Sequence, residues 1–324
     1  MLKHPAWLAL ALAALALNAA AQQTGGYPQQ PVRLVVGFAA GGPSDIVARA
    51  FAEHAARPLG QPVVVENKPG ANAVLATEAV ASAKADGQTL LAAATNHTMI
   101  PALYGNRIKF DAAKSFVPVC TLAASATVLV VGPSMPVKTV GEFIERVKAK
   151  PDSATYATPG QGSSPHLATE QFRKLAGVSM VHVPYKGAAP AVTDLIGGQV
   201  DLSFATVGSV LPHVKSGKLR ALAVASRQRA ALLPDVPTFE EAGVKGFVID
   251  TWYGLLAPAG TPAEALRLLT REATEFARSP AVRERLAGAG LEPGGLCGDA
   301  FASQIGREIE ANTRIARELN LKVE

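Results

Sequence analysis

Two short loops hold most of the residues that could do chemistry in this chain. The first runs Phe38-Ala39-Ala40-Gly41-Gly42-Pro43-Ser44-Asp45, after a Val-rich run and before a helix-like one. The second runs Thr158-Pro159-Gly160-Gln161-Gly162-Ser163-Ser164-Pro165-His166 in the same kind of setting. Small residues let backbone N–H groups approach a ligand closely, and the start of a helix favours negative charge. Two such loops facing each other across a cleft could grip one carboxylate from both sides. Each also reads as an ordinary strand-to-helix turn. Ser44 and Asp45 suit a helix start for structural reasons alone. His166 in a first helical turn is more often a surface or satisfied core histidine than a ligand contact.

Other chemistry finds little support. There is no G-x-S-x-G elbow, Walker A loop, G-x-G-x-x-G or H-E-x-x-H motif. His4, His54, His97, His166, His182 and His213 are dispersed, and no pair has metal-ligand spacing beside an acidic or Cys partner. No metal or other cofactor is expected. Ser163 or Ser164 beside His166 lacks an oriented base with a third orienting group, so the chain reads as non-enzymatic. The net charge is +5, but the Lys and Arg residues are scattered without runs or interleaved aromatics. That pattern argues against nucleic acid as a partner, while a mild positive balance helps an anion approach.

The elements that must position the loops alternate between strand-like and helix-like runs, which argues for an α/β fold with parallel sheets. Strands are expected at Val32–Phe38, Val63–Glu66, Thr89–Thr95, Thr155–Ala157, Met180–Tyr185, Val200–Phe204, Leu219–Val224 and Trp252–Ala257. Val117–Val131 reads as a long extended run interrupted over Ala123–Thr127. Helices are expected from Ile46 to Pro58, and at Val74–Lys84, Pro165–Leu175 and Ala189–Ile196. Thr139 and Glu142 form a capping box, and Thr261, Pro262 and Glu264 read as the start of another helix. Phe301, Ile305, Ile309 and Leu319 mark a last amphipathic helix.

With 324 residues the chain is long enough for two lobes. The expected organisation is a signal peptide over 1–21, a first lobe from 22–124 and 249–324, and a second lobe over 125–248 inserted within it. Lys3, His4, the apolar run Trp7–Leu17 and Ala19-Ala20-Ala21 carry the export signal, leaving Gln22 first and the protein in the periplasm. The apolar run is shorter than the roughly 20 residues that span a bilayer. Cys120 reads as a small buried residue. Export would permit a bridge to Cys297, and the sequence leaves that pairing open.

Seven ordered blocks carry a resemblance over the whole mature chain: LVVGFAAGGPSDIVAR (34–49), LGQPVVVENKPGA (59–71), ADGQTLL (85–91), HVPYKGAAPAVTDLIGGQVDLSF (182–204), GKLRALAV (217–224), LPDVPTFEEAG (233–243) and GLLAPAGTP (254–262). The chain resembles the Bug-type substrate-binding receptors of tripartite tricarboxylate transporters. The resemblance implies a two-lobed type II periplasmic-binding fold with a hinge between the lobes. It also implies a ligand carboxylate held by the two loops, partly through ordered water, and delivery to membrane transporter subunits. Ala40, Gly41, Gly42, Ser44 and Asp45 match the family's first loop, and Gly162, Ser163, Ser164 and His166 its second. Asn96 and His97 match a turn near the cleft, Thr206 a cleft-wall position and Phe38 an aromatic wall. Gly37 stands where many relatives have Pro, and Thr206 near where many carry an acidic or amide residue, which weakens the case for an ammonium-bearing ligand.

The expected protein is therefore a monomeric receptor that closes on a small organic acid. A sensor that presents the ligand to a signalling partner, an exported hydrolase and a ligand-free envelope interaction protein are the alternatives. The fold alone does not separate the first of these from a transport receptor.

Overall fold

The computed structural model describes residues 26–318; the expected signal peptide (1–21), Gln22 and Leu319 lie outside the described residues. In chain order the elements begin with β1 (Val32–Val36), α1 (Pro43–Leu59), β2 (Val63–Asn67), α2 (Val74–Ala81), β3 (Thr89–Ala94) and α3 (Ile100–Tyr104). The chain then runs through β4 (Phe116–Val131), α4 (Val140–Ala149), β5 (Thr155–Thr158), α5 (Ser164–Ala176), β6 (Val181–Pro184), α6 (Ala188–Ile196), β7 (Leu202–Thr206), α7 (Val207–Lys215) and β8 (Arg220–Val224). It finishes with β9 (Asp250–Pro258), α8 (Ala263–Arg278), α9 (Pro280–Gly288), β10 (Glu292–Pro293) and α10 (Gly298–Glu318).

These strands form two half-sheets that share β4. In one half, β2, β1 and β3 are parallel neighbours, β9 runs antiparallel to β3, and Phe116–Ala126 of β4 pairs with β9 and, near Ala123, with β10. In the other half, Thr127–Val131 of β4 pairs antiparallel with β7 and β8, and β7, β5 and β6 run parallel. The expected break over Ala123–Thr127 is not a break. β4 is continuous, and its irregularities appear as register shifts against β9 between Pro118 and Cys120 and between Thr121 and Ala123. Bulges bend a strand and increase its twist without ending it.

Helices cover both faces of each half-sheet, so buried strands read as continuous apolar runs. In the first half, Phe51, Leu269, Phe276 and Leu286 from α1, α8 and α9 pack one face; Val74, Ile100, Phe301 and Ile305 from α2, α3 and α10 pack the other. In the second half, Phe143 and Phe172 join Phe204, Phe239 and Phe247 on one face, and Val192, Leu195, Val210 and Leu211 cover the other.

Local signals fared unequally. Thr139 caps α4 as its spacing predicts, its hydroxyl accepting the Glu142 N–H at 3.1 Å. The Thr261 cap is a correction: α8 starts at Ala263 after Pro262, and the Thr261 hydroxyl donates to the Pro258 carbonyl at 2.8 Å instead. The cysteine pairing was open in the sequence. Cys120 is fully buried, as expected, and it is disulfide-bonded to Cys297 across 177 residues, tying β4 to the segment that leads into α10. Among the described residues no helix is long and apolar enough to cross a membrane.

Candidate functional site

The parallel strands of both half-sheets aim their carboxyl ends at one cavity. In open α/β sheets ligands bind outside those ends, where loops and helix starts converge. Phe38 to Ser44 follow β1, Asn96 follows β3, Pro159 to Pro165 follow β5, Gly187 to Pro190 follow β6, and Thr206 ends β7; residues from all five positions border the same cavity of about 80 Å³. Thr251 and Tyr253 on β9 close its floor. The first half-sheet and the second therefore each supply a loop and a helix start to a shared space.

On the first side, Gly42 is the N-cap of α1 in extended conformation and Pro43 opens the helix. The first-turn N–H groups of Ser44 and Asp45 have no partner within the helix. Asp45 does not border the cavity. Its carboxylate accepts from the Gly41 N–H at 3.0 Å, from Arg49 Nε at 2.9 Å and from Asn67 Nδ2 at 2.9 Å. Burial pushes its pKa up, but these hydrogen bonds outweigh burial and hold it below the usual carboxylate range. Asn67 also donates to the Phe38 carbonyl at 3.0 Å. The Asp45–Asn67–Arg49 set thus fixes the loop from behind and leaves Phe38, Ala40, Gly42 and Ser44 facing the cavity.

On the second side, Ser163 caps α5, and its hydroxyl accepts the His166 N–H at 3.4 Å. Ser163 and Ser164 border the cavity, and Ser164 Oγ shares a 3.0 Å hydrogen bond with Thr251 Oγ1. Gly162 and His166 lie behind the wall. His166 Nδ1 accepts the Gly162 N–H at 3.0 Å, and its ring stacks on His182 at 4.2 Å. Gly162 has φ +77°, and a Cβ there would sit 2.1 Å from Leu103 Cδ1. Its carbonyl accepts from Asn72 Nδ2 of the first half at 2.9 Å, and Asn96 Nδ2 in turn donates to the Asn72 carbonyl at 2.8 Å.

Asn96 faces the cavity, whereas its neighbour His97 turns into the first core. His97 is fully buried between Phe110 and Phe116, its Nε2 donates to the Ala112 carbonyl at 2.8 Å, and burial drives its pKa down to about 4. Thr206 reaches the cavity with its hydroxyl bound to Ser209 Oγ at 2.7 Å. Tyr253, hydrogen-bonded to Thr206, has a hydroxyl pKa raised by burial. No cluster of three metal-ligating side chains occurs among the described residues.

The tripartite tricarboxylate transporter family receptor model matches residues 47–321. The chain belongs to that family. It is a family of receptors, not of enzymes. The structure is similar to the periplasmic binding protein BugD, at 34% identity and TM-score 0.86 over 92% of this chain and 100% of that one. It is similar to R. palustris Rpa4515, solved with adipate, at 32% identity and TM-score 0.87 over 92% and 100% of the two chains. It is also similar to MatC (Rpa3494) of Rhodopseudomonas palustris, solved with bound malate, at 32% identity and TM-score 0.83 over 89% and 99%.

Several site residues of this receptor carry no motif that sequence reasoning could use. Arg49 stands four residues after Asp45, a spacing that brings helical side chains together. Asn67 and Asn72 act through backbone contacts that only the fold creates. Gly187-Ala188 was legible in principle, because it also follows a strand and opens a helix. Glycine at position 37 has a physical reason: a Cβ there would lie 2.1 Å from Ala73 Cβ. Ala73 belongs to the left-handed turn Ala71–Asn72–Ala73 that presents Asn72 to Gly162.

Proposed function

We propose that this receptor captures a small carboxylate in the cleft, closes its two lobes around it and presents it to membrane transporter subunits. The observation that carries this reading is the single cavity bordered by the helix start after β1 on one side and the helix start after β5 on the other. The Ser44 and Asp45 N–H groups at the first start and the Ser164 N–H at the second have no partner within their helices, and each start carries the positive end of a helix dipole; together these favour an anion. Adipate and malate in similar receptors support a carboxylate ligand. Phe38, Ala40, Gly42, Ser44, Asn96, Ser163, Ser164 and Thr206 contact the ligand or its ordered waters in this reading. Gly41, Asp45, His97, Gly162 and His166 hold those contacts in place.

The lobes are 22–124 with 249–324, and 125–248, joined by the two crossings at β4 and at the start of β9. Two crossings permit a hinge, and closure removes the water that competes for the carboxylate. The protein acts in the periplasm as a monomer after removal of residues 1–21, as the Lys3–Ala21 segment supports. N-terminal sequencing of the exported protein should begin at Gln22; recovery of Met1 from a membrane fraction would refute export in this form. Mass spectrometry of small molecules released by denaturing gently purified protein tests the ligand class. An organic acid at near-stoichiometric yield is expected, and a neutral or cationic compound at that yield would overturn the reading.

A further inference from the structure

Resting on the carboxylate reading, we infer that the ligand is a carboxylate with a ring-bearing body, and that a second cavity between the two halves receives the ring. The cavity at the helix starts measures about 80 Å³. An apolar cavity of roughly 150 Å³ accommodates one benzene ring. The inner space therefore takes a carboxylate and a few carbons, but not a ring as well. A larger cavity of about 700 Å³ adjoins it. Phe38 and Ala39 of the first half and Pro159 and Gly187 of the second border both cavities. The body of a ligand anchored at the helix starts passes between these four residues into the larger space.

The wall of the larger cavity matches a ring. Phe38 and Tyr104 come from the first half and Tyr185 from the second, together with Pro69, Pro159 and Pro184. A ring packed against aromatic side chains gains more than its buried area alone supplies. Protein contacts already hold these residues. The Tyr185 hydroxyl donates to Asp194 at 2.7 Å, the Arg107 guanidinium stands 5.6 Å over the Tyr104 ring, and Asn67 donates to the Phe38 carbonyl at 3.0 Å. Walls fixed in advance lose little freedom when the ligand arrives. The polar side chains bordering this cavity are Asn72, Gln161 and Lys186. Asn72 gives an amide N–H to the Gly162 carbonyl at 2.9 Å, so a bond between the halves borders the same space. Lys186 is exposed, and an ammonium group favours the face of a ring over a methylene chain.

Calorimetric titration with propanoate, hexanoate and 3-phenylpropanoate tests the inference on the native receptor and on Tyr104→Leu and Tyr185→Leu. The native receptor should bind 3-phenylpropanoate at least about tenfold more tightly than propanoate, and more tightly than hexanoate. Each variant should bind 3-phenylpropanoate about two- to tenfold more weakly and propanoate as before. Melting curves establish that the variants fold; they lie in opposite halves, so either one alone decides. If 3-phenylpropanoate binds no better than hexanoate, or a folded variant binds it as tightly as the native receptor, the larger cavity is only an entrance. A ringless acid recovered from the purified protein would likewise overturn the inference, and in each of these cases the carboxylate reading stands. If all three acids fail to bind and the recovered compound is neutral or cationic, the carboxylate reading falls and this inference falls with it.

Discussion

His166 accepts the Gly162 N–H through Nδ1, so that nitrogen needs its lone pair and the ring must stay neutral. Burial lowers the pKa of His166, with Arg173 adding to the effect and Glu170 opposing it. Burial, then His166, drive stacked His182 down to about 4. Tyr156 completes the stack, its hydroxyl bound to Glu170. Folded-state pKa values below that of a free histidine mean that the unfolded chain takes up protons first as pH falls. The stability these rings contribute is therefore full above about pH 6.5 and is lost on acidification toward pH 4. Fully buried His97 acts in the same window and alone contributes on the order of 3 kcal/mol. The melting temperature should be flat near pH 7–8 and fall steadily from pH 6.5 to 4; a flat profile down to pH 4 would contradict this. Ligand affinity should fall in the same window as the Gly162 anchor is lost. At this scale the sequence was legible where chemistry is local: small residues and serines at a helix start name themselves. Whether His166 and Asp45 face a ligand or brace a loop depends on Gly162, Arg49 and Asn67, and those contacts exist only after folding.

Elements place the loops, and one of them crosses the cleft. The turn Ala71–Asn72–Ala73 is left-handed throughout, with Asn72 at φ 52° and ψ 44°. Asn tolerates that conformation better than most residues. Its side chain ties the first half to the Gly162 carbonyl, and Met99, Leu103 and Leu167 pack together across the same junction. Asn72→Gly keeps the backbone free to adopt the turn and removes only this tie. Losing a neutral hydrogen bond of about 0.5–1.5 kcal/mol should weaken ligand binding about two- to tenfold and favour the open form. Unchanged affinity would show that the tie plays no part in closure. Strands were legible to within one or two residues at most ends because buried parallel strands are apolar runs between turns. The α4 cap was legible because a capping box lies within four consecutive residues, here Thr139 to Glu142. Helix α7 was not, because Val207 follows Thr206 of β7 without a connecting turn and Pro212 inside it reads as a breaker. Thr261 misled because its hydroxyl found a nearer acceptor in Pro258.

For the whole molecule, β4 and the disulfide set how the halves are held. The α/β alternation was legible along the chain, whereas the Cys120–Cys297 pairing was not, since 177 residues separate the two and no local pattern brings them together. Closing so long a loop constrains the unfolded chain, so reduction should cost about 2–5 kcal/mol and lower the melting temperature by several degrees. Calorimetric scans with and without reductant would check it, and coincident curves would count against a stabilising bridge. Hinge closure should make the liganded protein more compact, and an unchanged radius of gyration at saturation would argue against it. The central claim is that both helix starts hold one carboxylate, and titration of site variants tests it most directly. Gly42 is the informative position: its backbone is extended, and a Cβ there would meet only the Ala39 carbonyl at 3.8 Å, so Gly42→Val should fold while placing bulk on the cavity wall. Ser164→Ala removes a hydroxyl from the opposite side. Calorimetry with the acid recovered from the protein, beside a melting curve, should show Gly42→Val and Ser164→Ala each folded and each binding roughly ten- to a hundredfold more weakly. If both variants fold and bind as tightly as the native receptor, the carboxylate is not held between these two loops.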